Sequence, residues 1–178
     1  LTTGAYYDGY DYRAIGRLAD KVILMAYDYQ ARDLSGYLGT EYHKTAAIAP
    51  IDQIFASLLD ITDARTGVED VSKVLLGVQF QSIAWKVDGN GKLLSGTPVY
   101  PDEETLAKRL GQSGTVIGWS QDYQCPYIRY TDENGDHWFA FYENGDSLRA
   151  KCQAAALLGI TGVSYWRLGV IPAERLGL

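Results

Sequence analysis

Lys21-Val-Ile-Leu-Met-Ala-Tyr27, closed by Asp28 and Tyr29, is the stretch on which the fold turns. A short, strongly apolar run bounded by polar residues reads as a buried strand. Two further runs have the same character: Lys73-Val-Leu-Leu-Gly-Val-Gln-Phe80 and Thr161-Gly-Val-Ser-Tyr-Trp166. Unbroken apolar runs, in place of strict alternation, are expected where helices cover both faces of a parallel sheet. Each run follows a helix-like segment. Between Pro50 and Ala64, Ile51, Ile54, Phe55, Leu58 and Leu59 repeat at i, i+3, i+4, i+7 and i+8, with Pro50 near the first turn. Ahead of the third run, Asp146 or Ser147 can cap a helix with Leu148, Cys152, Ala155 and Ala156 on its apolar face, and Gly159 ends it. The order is helix, strand, helix, strand, helix, strand.

From about residue 87 to 145 the pattern changes. Asp88-Gly-Asn-Gly91 and Asp132-Glu-Asn-Gly135 are turn signals. Around the second, Tyr127-Ile-Arg-Tyr-Thr131 and His137-Trp-Phe-Ala-Phe-Tyr142 alternate as the arms of a hairpin do. A short helix is expected at about Glu103 to Leu110. Together these predict a small α+β insertion at 87–145, between an α/β part at 1–86 and its continuation at 146–178.

The 178 residues carry 16 Lys and Arg against 22 Asp and Glu, a formal net charge of −6. An acidic excess argues against a nucleic-acid binder, whose non-specific affinity comes largely from Lys and Arg displacing counterions. With 47% hydrophobic residues the chain can bury a core, and its length fits one domain with an inserted lobe. No apolar stretch nears the roughly 20 residues of a membrane span. A chain that opens on Leu1 instead of Met reads as a piece of a longer protein, so the lack of a signal-peptide pattern says little about the parent. Cys125 and Cys152 lie far apart and outside any C-x-x-C clip, and His43 and His137 are the only histidines. No metal site or cofactor is expected from such a set. Two free thiols and a Cys125–Cys152 disulfide both stay open.

Three parallel strands alone leave unpaired edges and uncovered apolar faces, so the sheet is expected to continue in another segment or a second copy. In parallel α/β folds, ligands gather at the C-terminal ends of strands. Tyr27 and Asp28 stand at one such end, Asp28 either facing a site or serving as a turn residue. Trp166 stands at another, either as a flat floor for a sugar ring or as core.

Tyr10 to Tyr29, with its Met25-Ala-Tyr-Asp28 motif, resembles the sixth-strand region of glycoside hydrolase family 18. Lys73-Val-Leu-Leu-Gly77, leading to Trp85, resembles that family's seventh strand, and Gly162-Val-Ser-Tyr-Trp-Arg-Leu-Gly169 its eighth. The segment from Tyr130 through Asn134-Gly135 and Tyr142-Glu143 to Ser147 and Lys151 is similar to the end of the family's α+β insertion and the helix after it. The likeness is nearest to the bacterial branch of spore-cortex and cell-wall N-acetylglucosaminidases. It implies an α/β fold, the C-terminal part of a TIM (β/α)8 barrel holding strands 6 to 8, with the insertion between strands 7 and 8.

The resemblance also implies a chemistry. In this family a glutamic acid protonates the glycosidic oxygen while the substrate's own N-acetyl oxygen attacks the anomeric carbon, one of the exceptions to the two-carboxylate scheme. Tyr27 would hold the acetamido group, Asp28 would contact polar groups of the sugar, Met25 would shape the wall and Trp166 would form the floor. The acid belongs to an Asp-x-x-Asp-x-Asp-x-Glu motif absent from these 178 residues. Asp8-Gly-Tyr-Asp-Tyr12 echoes it without the terminal glutamate. The chain alone is therefore expected to bind better than it cleaves. Where the family often has Pro, an aromatic and Tyr-Gly after Gly77, this chain has Val78-Gln-Phe-Gln81, so Gln79 or Gln81 would offer an amide at the rim. Trp119, Tyr123, Arg129 and Trp138 are the insertion's candidates for reaching the cleft, with packing as the plainer reading. The implied partner is an N-acetylglucosamine-containing glycan, peptidoglycan or chitin-like, in an extracellular, cell-wall or spore setting. A noncatalytic glycan-binding module and a structural cell-surface module are the competing readings.

Overall fold

The structure, a computed structural model, describes residues 9–167. Asp8 of the Asp8–Tyr12 echo, and Leu168 and Gly169 of the third motif, lie outside the described residues. Two sheets share the chain. The first is parallel and contains β1 (Val22–Met25), β2 (Val74–Gln79) and β7 (Gly162–Trp166) in the order β1-β2-β7. The second is antiparallel, in the order β3-β6-β5-β4, from β3 (Ile83–Val87), β4 (Val116–Ser120), β5 (Cys125–Thr131) and β6 (His137–Phe141). Four helices complete the described fold: α1 (Tyr12–Leu18), α2 (Ile51–Thr62), α3 (Glu103–Leu110) and α4 (Gly145–Leu157).

Among the described residues, helices cover one face of the parallel sheet. Val22, Leu24, Ala26, Val74, Leu76 and Val78 pack against Ile54, Leu58, Ile61 and Ala155 of α2 and α4. The opposite face carries Ile23, 42% exposed, and Met25, 38% exposed. The apolar runs had predicted burial on both faces. The described chain puts helices against only one, so β1 alternates buried and exposed along its length.

The α2 stripe is also displaced from its expected line. Ile54, Ser57, Leu58 and Ile61 face the sheet, whereas Phe55 and Leu59 stand exposed on the flank. The α4 N-cap is Asn144, not Asp146 or Ser147. Its side chain accepts the N–H groups of both those residues, and Ser147 Oγ returns the bond to the Asn144 N–H, a reciprocal capping box. Ala156 is exposed, and the buried side of α4 is Ser147, Lys151 and Ala155. Gly159, at φ 81°, turns the chain out of the helix as expected.

In the second sheet the β5–β6 hairpin and α3 lie where the sequence put them, whereas β3 and β4 were not foreseen. Strand β3 starts ahead of residue 87 and pairs with β6, so Trp85 belongs to this sheet, fully buried. One face packs on α3 through Ala84, Ile128, Ala140 and Leu106. The other packs through Ile83, Trp85, Phe139 and Phe141 on Leu34 and Ala46–Ile48, the connection that follows β1. Cys125 and Cys152 are free, the first buried and the second half-buried.

Candidate active site

The three parallel strands all point their C-terminal ends to one rim, and there the second sheet meets the first. Register pairs Met25 with Gly77, Gly77 with Ser164, and Gln79 with Trp166, so the last residues of β2 and β7 lie side by side. Trp166 is 60% exposed. It is therefore not core, and its indole is available as an apolar surface at the rim. The peptide bond that follows it, to Arg167, is cis.

Two concavities open at this rim. One, of about 320 Å³, is lined by Gln79, Phe80, Gln81, Tyr100, Asp102 and Trp166, among others. The second, of about 420 Å³, is lined by Asp28, Gln30, Arg32, Gln81, Thr97, Pro98 and Tyr100. Gln81 and Tyr100 belong to both, so the two adjoin across these side chains. Asp102 is held by its local role: its side chain accepts the Thr105 N–H at 2.8 Å as the α3 N-cap, and hydrogen bonding to the Thr105 side chain, with this N–H second, lowers its pKa.

Asp28 has φ 65°, a left-handed conformation uncommon for a residue other than glycine, although Asp and Asn adopt it more readily than most. Such positions cluster at functional sites. Tyr27, just before it, is half-buried and packs against the cores of both sheets. Burial, with the Asp28 carboxylate as a smaller cause, raises the Tyr27 pKa, so its hydroxyl stays protonated and able to donate. Tyr29 is tied to α2, its hydroxyl 2.7 Å from Ser57 Oγ, and its N–H donates to Ile48 O at 3.0 Å. These bonds fix the chain as it leaves β1.

Of the residues singled out in the sequence, Gln79, Gln81 and Trp166 line one concavity and Asp28 and Gln81 the other. Met25 and Tyr27 line neither. Trp119, Tyr123, Arg129 and Trp138 do not reach these walls. Trp138 donates its indole N–H to Asp132 Oδ2 at 2.9 Å, as a hairpin residue. The second sheet's aromatic at the rim is instead Tyr100, in the connection between β3 and α3. An aromatic within Thr97-Pro-Val-Tyr-Pro101 was its only sequence signal. An exposed indole and phenol, two amides and a carboxylate around a shallow cavity suit a ring with one apolar face and a polar edge.

A model of the glycosyl hydrolases family 18 matches residues 2–170. The chain belongs to this family. Its mixed α/β fold is similar to that of family 18 chitinase domains. The cortical fragment-lytic enzyme of Bacillus subtilis is 28% identical over 170 residues, covering 94% of this chain and 35% of that protein. The family 18 N-acetylglucosaminidase structure from Paenibacillus barengoltzii matches at 26% identity and TM-score 0.68, over 98% of this chain and 52% of that one. The spore cortex-lytic enzyme SleL of Bacillus cereus shares the fold at TM-score 0.72 and 22% identity, over 99% of this chain and 39% of that one. The chain spans about a third of the length of the curated bacterial relatives it matches.

Proposed function

We propose that this chain is the C-terminal portion of a family 18 glycosidase that hydrolyses β-1,4 bonds of N-acetylglucosamine-containing polymers, peptidoglycan or chitin. In this reading β1, β2 and β7 are strands 6, 7 and 8 of a (β/α)8 barrel. The chain up to the end of β2 and residues 146–178 belong to the barrel, and the α+β insertion begins at β3, ahead of the expected boundary at 87, and runs to residue 145. The observation that carries the proposal is the meeting of Asp28, Gln79, Gln81 and Trp166 at one rim formed by the strand ends.

Hydrolysis would be substrate-assisted, one of the exceptions to the two-carboxylate scheme. The sugar's acetamido oxygen attacks the anomeric carbon while an acid from another part of the parent protein protonates the departing oxygen. Tyr27, kept protonated by its burial, donates to the acetamido oxygen and aligns it for attack, a positioning contribution. Asp28 takes the polar edge of the sugar, Trp166 lies under its apolar face, Met25 shapes the wall, and Gln79 and Gln81 form the rim. The setting would be the cell wall or spore. The exposed face of β1 would be covered by the remaining barrel strands, or by a second copy of the chain. A noncatalytic glycan-binding module is the second reading, favoured by the lack of Asp-x-x-Asp-x-Asp-x-Glu in these 178 residues.

Calorimetric titration with N-acetylglucosamine oligomers tests the site, run beside folded Asp28→Ala and Trp166→Ala variants. Binding by the unaltered chain that both substitutions weaken at least tenfold, about 1.4 kcal/mol each, is the expected result. A folded chain that binds no oligomer rules out a self-sufficient glycan site at this rim. Adding the parent's glutamate-bearing segment then separates hydrolase from binding module through cleavage.

A further inference from the structure

Glu143 and Lys151 form an ion pair with both side chains almost wholly removed from water. Glu143 lies between β6 and the α4 cap, and Lys151 is on the buried side of α4. Such a pair gains little for stability. Desolvation offsets much of the attraction, and a well-packed apolar pair of similar volume often serves as well. A different role follows from its surroundings.

The pair lines a small, partly closed cavity with Ala26, Val78, Gln79 and Phe80. It thus lies directly behind the ends of β1 and β2, where the chain passes into Tyr27-Asp28 and into Gln81. Gln79 lines this cavity and also the open concavity beside Trp166. Its Oε1 accepts the Gln81 N–H at 2.9 Å, whereas its Nε2 is buried and finds no acceptor among the described residues. Nε2 is shielded from solvent, and the small cavity is a space that Gln79 itself lines. Lys151 Nζ likewise has no well-aligned hydrogen bond. The cavity encloses about 10 Å³, near the lower limit for one water, and a buried water needs two to four polar partners. Gln79 Nε2, Lys151 Nζ and the Glu143 carboxylate supply three.

We propose that Glu143 and Lys151, through one buried water, are positioning residues for the rim: they hold the Gln79 amide so that its Oε1 stays on the Gln81 N–H. The water accepts from Gln79 Nε2 and Lys151 Nζ and donates to the Glu143 carboxylate. The backbone at Gln81, which with Tyr100 lines both concavities, is thereby fixed from behind the sheet. The effect on ligand rests on the glycan reading given above, whereas the effect on Gln79 does not.

A high-resolution crystal structure of the unaltered chain tests the geometry. A water within hydrogen-bond reach of Gln79 Nε2 and Lys151 Nζ is expected, and a dry cavity, or Nε2 turned into the open concavity, overturns the proposal. The Glu143→Leu/Lys151→Met double variant tests the consequence, because an apolar pair keeps the packing while removing the link. In this variant the Gln79 side-chain amide, followed by NMR, should shift and lose its protection from hydrogen exchange, and affinity for an N-acetylglucosamine tetramer should fall about tenfold. A folded double variant with unchanged Gln79 resonances and exchange overturns the role. A changed Gln79 amide in a protein that binds no tetramer in any form supports the positioning and rules out a self-sufficient glycan site at this rim instead.

Discussion

His43 is fully buried, 4.9 Å from Phe139 in an edge-to-face contact, and neither ring nitrogen has a hydrogen-bond partner. Burial, reinforced by Lys44, lowers its pKa from 6.5 to about 4. The unfolded chain therefore binds this proton more readily than the folded one. Stability is fully present above about pH 6.5 and falls as pH drops toward 4, by roughly 3 kcal/mol from this residue alone. Replacing His43 with Phe should flatten the denaturant midpoint between pH 7 and pH 5, and an unchanged pH slope in that variant would show that the imidazole is not the source. This residue was named in the sequence only as a poor metal ligand. Nothing in Tyr42-His-Lys44 announces burial between a sheet and a loop, because the partner, Phe139, is distant in sequence. Asp28 and Trp166 were legible for the opposite reason: their places at strand ends follow from local pattern alone.

At the scale of elements, β1 and β2 meet with almost no space at Gly77. A Cβ added there would lie 2.6 Å from Leu24 O, a backbone atom that can retreat only if the two strands part. Gly77→Ala should cost about 2 kcal/mol, lowering Tm by roughly 4–8 °C for a chain of this size. A thermal unfolding curve that superimposes on that of the unaltered chain would contradict the close approach. Elements with strong period or turn chemistry were legible, among them β2, α2, α3 and the hairpin about Asp132-Glu-Asn-Gly135. Strands β3 and β4 were not. Ile83-Ala-Trp-Lys-Val87 follows the second apolar run after only a brief interval, and Val116-Ile-Gly-Trp-Ser120 is short and holds a glycine. Gly118 has a tertiary cause: the Tyr127 ring lies over it, where a Cβ would come within 2.4 Å. For α4, the sequence reading offered Asp146 or Ser147 as the cap and passed over Asn144, which the geometry of the β6–α4 connection selects.

For the whole molecule, the exposed apolar side chains Ile23 and Met25 on one face of β1 have the strongest physical consequence. Exposed apolar surface of this kind favours association. Sedimentation velocity of the isolated chain should show reversible self-association that Ile23→Lys with Met25→Lys abolishes while leaving the fold intact. A strictly monomeric chain at high concentration would mean that this face tolerates water without a cover. The strand count in the sequence raised the expectation of a sheet that continues elsewhere but carried no register to say which side chains of β1 stand exposed. The second sheet has a different consequence. Ile83 and Phe141, near its two ends, are direct cross-strand partners, so the polypeptide departs and returns at nearly the same point. Once folded, such an excursion counts as a short connection between β2 and β7, and even unfolded its closure cost grows only by about 0.6 kcal/mol per doubling of length. The sheet is thus a graft site: its size and surface can be rewritten by recombination while the strand pair it interrupts keeps its alignment.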